Sequence, residues 1–347
     1  VLRRRTVKWA IGLVLAWFAY QAVQQLVGAV DWAAVGRALT GVEVWVFAPL
    51  VLLLVVRQAL NATPLTYFVE GLGLVRSVQN DTVANLFGTI APPPADVVVR
   101  VQMFRSWSLD PVFGMTGVSL NSTAFYVIRF AMPVLGLLAL GGRELEVREW
   151  ILAGCCTLAA VVCLVALLFV ARSDRFAALV GRTAARAVAL ARRSVDPDAW
   201  ADYVVRLRAS AGVSLRRGLV PSLLVLVAMV LADGAIAFAS VRAFGVGADR
   251  LPLLAFLSAF LLAYPLTLLP LFGFGVLDAV LVGSLTTVAG AAAEPDLVAA
   301  TLVWRFVTIA GTLVLGALSL AVWRLSRRTR DHAPDDDDGG ASAGTLP

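Results

Sequence analysis

Histidine occurs once, at His332, and cysteine three times, at Cys155, Cys156 and Cys163, in a chain of 347 residues. One histidine in a polar tail leaves zinc sites and histidine acid–base catalysis without their usual parts, so no metal or cofactor is expected. The cysteines share one apolar run and two are adjacent, which suits neither a disulfide framework nor a metal site. They read as small packing residues compatible with lipid. No Gly-x4-Gly-Lys-Ser/Thr loop is present, so nucleotide hydrolysis would need another protein. Charge is scarce as well: Asp, Glu, Lys and Arg make up 15% of the chain against 60% hydrophobic residues. With a mean hydropathy of +0.85, a water-soluble fold of this size could not hide the apolar surface.

What remains is an all-α, polytopic membrane bundle. Arg3, Arg4, Arg5 and Lys8 precede the uncharged stretch Trp9–Val30, which is too long for a signal-peptide core and reads as a retained first span. Val44–Val56, the more interrupted Pro111–Leu140, Trp150–Ala171, Gly218–Val241, Leu251–Leu277, Ala279–Ala293 and Val298–Trp323 follow. That makes about eight hydrophobic segments of spanning or near-spanning length, at a rise of about 1.5 Å per residue across a core of about 30 Å. Residues 1–330 form the membrane domain.

Arginine sets the expected orientation. Residues 172–217 hold ten Arg and four Asp, whereas Gly28–Glu43, Gly141–Glu149 and Ala291–Leu297 are acid-rich. The basic loop, both termini and Arg324–Arg330 therefore belong on the cytoplasmic side of a bacterial-type inner membrane. Within the loop, Phe176, Leu179, Val180, Ala187 and Leu190 recur at helical spacing beneath Arg175, Arg182, Arg186, Arg192 and Arg193. This pattern suits an interfacial helix on an anionic leaflet, although a plain positive-inside signal is the simpler reading. The tail 331–347, with Asp335–Asp338 among Gly, Ala and Ser, cannot bury enough apolar area to order itself. The net charge of +6 is explained by these membrane flanks, and with no recognition motif beside it nucleic acid is not an expected partner.

Two places break the apolar pattern. In the first, a weakly apolar stretch after Asn85 halts at Pro92, Pro93 and Pro94 and restarts at Asp96, four residues before Arg100. Proline removes backbone donors and stops helices, so the stretch Thr63–Asp110 suits either a helical hairpin dipping into the membrane or a cytoplasmic loop with one amphipathic helix. The second break, Tyr264–Asp278, carries Pro265, Pro270, Gly273 and Gly275 between apolar runs and predicts a pair of half-helices. Broken segments in two halves of a membrane chain point to a transport-type site, because freed backbone groups and helix ends can face a polar substrate.

Charges inside the apolar segments sharpen this. Arg129, Asp233, Asp278 and Arg305 each cost on the order of 2.5–3.5 kcal/mol at mid-membrane, so each needs a partner or a wet cavity. Two readings stand. The arginines could clamp a phosphate with their planar forks; or Asp278 pairs with Arg305, and Arg129 with Asp96 or Asp233, as structural ion pairs.

The order of these residues resembles the flippase-like domain that also forms the transmembrane region of lysylphosphatidylglycerol synthases. The resemblance rests on Asn85, Pro92, an acid before Arg100, then Arg129, Pro270, Gly273, Gly275, Asp278 and Arg305, over nearly the whole chain. Ala95 stands where family members typically carry glycine, and Asp278 where they carry glutamate. The resemblance implies lipid handling, with Asn85, Asp96, Arg100, Arg129, Asp278 and Arg305 as substrate-binding residues. The residues after Arg330 are too few for the soluble aminoacyl-transfer domain of the synthases, so the synthase step is not expected. The leading expectation is translocation of an amphipathic, phosphate-bearing membrane lipid. A membrane-embedded transferase on a lipid carrier, with Asp96 or Asp278 as base, and a non-catalytic subunit docking a partner through the basic loop are the alternatives.

Overall fold

Long apolar stretches satisfy their backbone hydrogen bonds internally only as helices, and every regular element among the described residues is helical. The computed structural model describes residues 43–92, 94–139, 197–268 and 275–331, with scattered helical positions between Gly154 and Val165. The expected first span Trp9–Val30, the loop Gly141–Glu149, the basic loop before Pro197, the acidic tail beyond Asp331, and Pro93, Pro270 and Gly273 lie outside the described residues.

Helix α1 runs Phe47–Phe68 after a single 3-10 turn. The sequence reading ended this span at Val56, before Arg57. The helix instead continues for three further turns through Pro64, because its buried face, with Leu54, Gln58, Ala62 and Leu65, continues unbroken. Helices α2 (Leu74–Ile90) and α3 (Ala95–Ser106) are joined at the prolines. At about 25 and 18 Å, neither reaches across a core of about 30 Å. They lie antiparallel as a hairpin: Arg100 of α3 donates to Asn80 Oδ1 (2.6 Å) and Asp81 Oδ1 (3.2 Å) of α2. Asn61 of α1 donates to the other Asp81 oxygen at 2.6 Å and ties the hairpin to α1.

Helix α4 (Pro111–Ala139) is continuous despite Pro133, so the interruptions expected in this span do not break it. Helix α5 (Pro197–Ala243) has 47 residues. The second half of the expected basic loop thus runs helically into the span, and the rod of about 70 Å exceeds any bilayer core. Its apolar part, Arg217–Ala243, is the most enclosed of the four spans that are long and apolar enough to cross a membrane. The others are α1, α4 and the apolar part of α8 (Glu294–Asp331).

The second break separates short helices. Helix α6 (Leu253–Ala263) passes into the 3-10 turn Tyr264–Leu268, and α7 (Val276–Ala289) starts after Gly275, whose φ of +86° suits a residue without a β-carbon.

The principal core joins α4, α5, α6 and α8 around Met132, Leu226, Met229, Phe256 and Phe260. A second core, with Leu65, Val83, Met103, Phe104 and Trp323, seats the hairpin between the end of α1 and α8. There Gly316 lets the backbones close up: a β-carbon at this position would fall 2.6 Å from the Thr82 carbonyl oxygen. Outward faces are strongly apolar, with Leu52, Val220, Leu224 and Phe306 each about two-thirds exposed, as lipid-facing residues would be. Cys155 is likewise exposed.

Candidate functional site

Both breaks end at one cavity. It encloses about 640 Å³, counting the space open at its mouth, and is lined by Asn85 and Thr89 from the hairpin, Tyr264 and Thr267 from the broken segment, and Arg57, Arg129, Asp233 and Arg305 from the spans. Asn85 and Thr89, one helical turn apart, share a face of α2 just before the prolines stop it. On α8, Trp304, Arg305, Thr308 and Thr312 present a polar stripe; the two threonine hydroxyls donate back to the carbonyls four residues earlier, at 2.8 and 2.6 Å. An aromatic ladder backs the wall. Phe260 lies 5.7 Å from both Tyr264 and Trp304 between ring centroids, and Phe256 stacks on it at 5.9 Å.

Three guanidinium groups therefore face a space lined, among the described residues, by one carboxylate, and they are held differently. Arg305 donates from Nε to Asp278 Oδ1 at 2.6 Å, with both side chains about nine-tenths buried. The other oxygen of Asp278 accepts the Gly275 N–H at 3.0 Å, so the carboxylate also caps α7. Arg57 Nε stands 3.4 Å from Asp233 Oδ1 without the geometry of a hydrogen bond, and donates instead to Gln58 Oε1 from its terminal nitrogen. Asp233 is 4% exposed and accepts the Trp304 indole N–H at 3.2 Å. Arg129 makes no ion pair among the described residues. Its guanidinium lies 4.2 Å over the Phe125 ring, Tyr264 lines the same cavity, and its Nε is buried without a hydrogen-bond partner among the described residues.

Of the six residues expected at the site, Asn85, Arg129 and Arg305 line the cavity, and Asp278 stands directly behind Arg305. Arg100 does not join them. It is turned across the hairpin to Asn80 and Asp81, because those side chains face it on the neighbouring helix. Asp96 lies in the first turn of α3 beside Gly88 and pairs with no arginine among the described residues. The expected Asp278–Arg305 pair forms. The expected pairing of Arg129 with Asp96 or Asp233 does not, since Asp233 is engaged by Arg57 and Trp304.

Arg57, Tyr264 and Trp304 were missed by sequence reasoning. Arg57 stands just past the expected end of its span, and only the burial of the following Gln58 in the fold shows that the packed face continues inward. No group of three or more His, Cys, Asp or Glu side chains placed to hold a metal occurs among the described residues.

A multi-pass helical membrane bundle with an arginine-rich cavity between a proline hairpin and a broken segment defines the class. The chain belongs to the family of the lysylphosphatidylglycerol synthase transmembrane region, whose model matches residues 5–316, and so to membrane proteins involved in lipid handling. No curated protein and no solved structure is significantly similar to it.

Proposed function

We propose that the protein translocates an amphipathic, phosphate-bearing lipid across the inner membrane, with both termini cytoplasmic. The observation that carries this is the convergence of Arg57, Arg129 and Arg305 on one cavity where, among the described residues, Asp233 stands against Arg57 and Asp278 behind Arg305, leaving the Arg129 guanidinium in excess. Such an excess of buried guanidinium suits a phosphate headgroup, because each planar fork can give two parallel charge-assisted hydrogen bonds to its oxygens. Asn85, Thr308 and Tyr264 supply neutral partners, and Ile309 and Leu313 give the same wall an apolar margin against which the glycerol end of a lipid can rest. Asp278 holds Arg305 in place. Arg129, without an ion-pair partner, is the first contact of the headgroup. The basic loop before Pro197 adds attraction to an anionic leaflet.

The test uses the full chain in vesicles with an anionic phospholipid carrying a fluorescent tail, scored by accessibility to a membrane-impermeant quencher. The wild-type chain is expected to accelerate transbilayer movement, and Arg129→Gln to slow it by roughly 10- to 100-fold, the worth of a charge-assisted contact of about 1.5–3 kcal/mol. Wild-type vesicles no faster than protein-free ones, or an unimpaired Arg129→Gln, refute the proposal. A covalently altered lipid in the mass spectrum would assign the transferase reading instead.

A further inference from the structure

The two ion pairs at the cavity differ in a way that matters for release. Arg305–Asp278 is short, hydrogen-bonded and reinforced by the Gly275 N–H. Arg57–Asp233 is 3.4 Å long and carries no hydrogen bond through the Arg57 Nε, whereas a charge-assisted contact of this kind settles near 2.7–2.9 Å. Both contacts of Asp233, from Arg57 and from Trp304, fall on its Oδ1. A buried carboxylate this loosely matched to a cation lining the same cavity is placed to let that cation go to a better-fitting anion.

We propose that Asp233 is an exchangeable counter-ion: it holds Arg57 while the cavity is empty, yields it to the phosphate of the lipid, and takes it back to expel the headgroup. Asp233 is thus a positioning residue, acting through Arg57, and the inference rests on the lipid-translocation reading above.

The physical logic is competition. A headgroup gains Arg57 only at the expense of the internal pair, so its apparent affinity falls by the fraction of time Arg57 is free. The same competition gives release a driving force, because a leaving phosphate is replaced at Arg57 by a carboxylate already in place. Trp304 keeps Asp233 in position throughout by its indole N–H, and is itself backed by Phe260. Arg129, facing Tyr264 and Phe125 rather than a carboxylate, has no such competitor and captures the headgroup first. Arg305, locked by Asp278, does not exchange.

The experiment compares the wild-type chain, Asp233→Asn and Arg129→Gln in vesicles with increasing fractions of the tail-labelled anionic phospholipid. It reads half-saturation and maximal rate separately, with thermal unfolding as the check on folding. Asn keeps the shape and the oxygen that accepts from Trp304 but removes the charge. Asp233→Asn is therefore expected to saturate at roughly tenfold less lipid and to turn over roughly tenfold more slowly, as a bound headgroup loses its competitor. A purely structural role would shift the unfolding temperature and leave no such opposed change.

Should Asp233→Asn fail to fold, Arg57→Gln combined with Asp233→Asn leaves no orphan charge. With Arg57 gone there is no phosphate contact for Asp233 to displace, so the double variant is expected to keep a maximal rate near the wild-type value and to need several-fold more lipid for half-saturation. A wild-type maximal rate in folded Asp233→Asn overturns the inference, as does a double variant that loses maximal rate or half-saturates like the wild type. If the wild-type chain moves no lipid, the translocation reading itself falls; if it does, Arg129→Gln impairs it and Asp233→Asn turns over normally, only the counter-ion role falls.

Discussion

Replacing Asp278 by alanine isolates the most tightly built contact of the cavity. The carboxylate does two things: Oδ1 accepts Arg305 Nε at 2.6 Å, and Oδ2 accepts the Gly275 N–H at 3.0 Å at the start of α7. Arg305 is 7% exposed, so its charge would lose its carboxylate in a place water barely reaches. Breaking a buried pair from one side costs about 3–5 kcal/mol, and losing the helix cap adds about 1 kcal/mol. Asp278→Ala is therefore expected to lower unfolding free energy by roughly 4–6 kcal/mol. That can be read by reversible unfolding in mixed micelles followed by tryptophan fluorescence. Removing both charges, as Asp278→Ala with Arg305→Met, should recover most of the loss and leave about 1–2 kcal/mol for the missing cap. Two results would refute the reasoning: Asp278→Ala within about 1 kcal/mol of the wild type, or a double variant as unstable as the single one.

The remaining predictions concern how the hairpin is seated. Gly316→Val would put a β-carbon 2.6 Å from the Thr82 carbonyl oxygen and push α2 off α8, so a loss of about 1–3 kcal/mol is expected in the same unfolding assay. Arg100→Ala removes the donor to Asn80, which is fully buried, and to Asp81, which like Arg100 stays partly wetted at about 15% exposure, so about 1–3 kcal/mol is expected. The loss should be local, with faster hydrogen exchange in Ala95–Ser106 and unchanged exchange in Leu253–Ala263. Uniform acceleration across both helices would contradict a role confined to the hairpin.

The legible parts of the site were those where a charge interrupts an apolar run, since the cost of burying it demands a partner or a cavity wherever it sits. Arg129, Asp233, Asp278 and Arg305 were found in this way, and the Asp278–Arg305 pair was among the pairings weighed. Arg57 escaped because a charge near the expected end of a span reads as its boundary. Only the packed face of α1 shows that the helix continues for three turns past it. Asp96 and Arg100 were both expected at the site. Pairing along a helix competes with pairing across a hairpin, and Asn80 and Asp81 on the facing helix won.

Composition and periodicity by themselves determined that this chain is a helical membrane protein, that its apolar pattern is broken around Pro92 and between Tyr264 and Asp278, and which charges lie deep within its apolar runs. These properties follow from the chain and its solvent, because hydrocarbon forbids unsatisfied backbone and a cluster of prolines and glycines stops a helix, whereas single prolines at Pro64, Pro133 and Pro221 are carried inside long helices. Which charge meets which was decided by the tertiary structure alone. Gly316 sets how closely the hairpin approaches α8, and Phe260 sets where Tyr264 and Trp304 stand. A side chain's partner depends on ångström-scale distances between helices remote in sequence, and packing in three dimensions sets those distances.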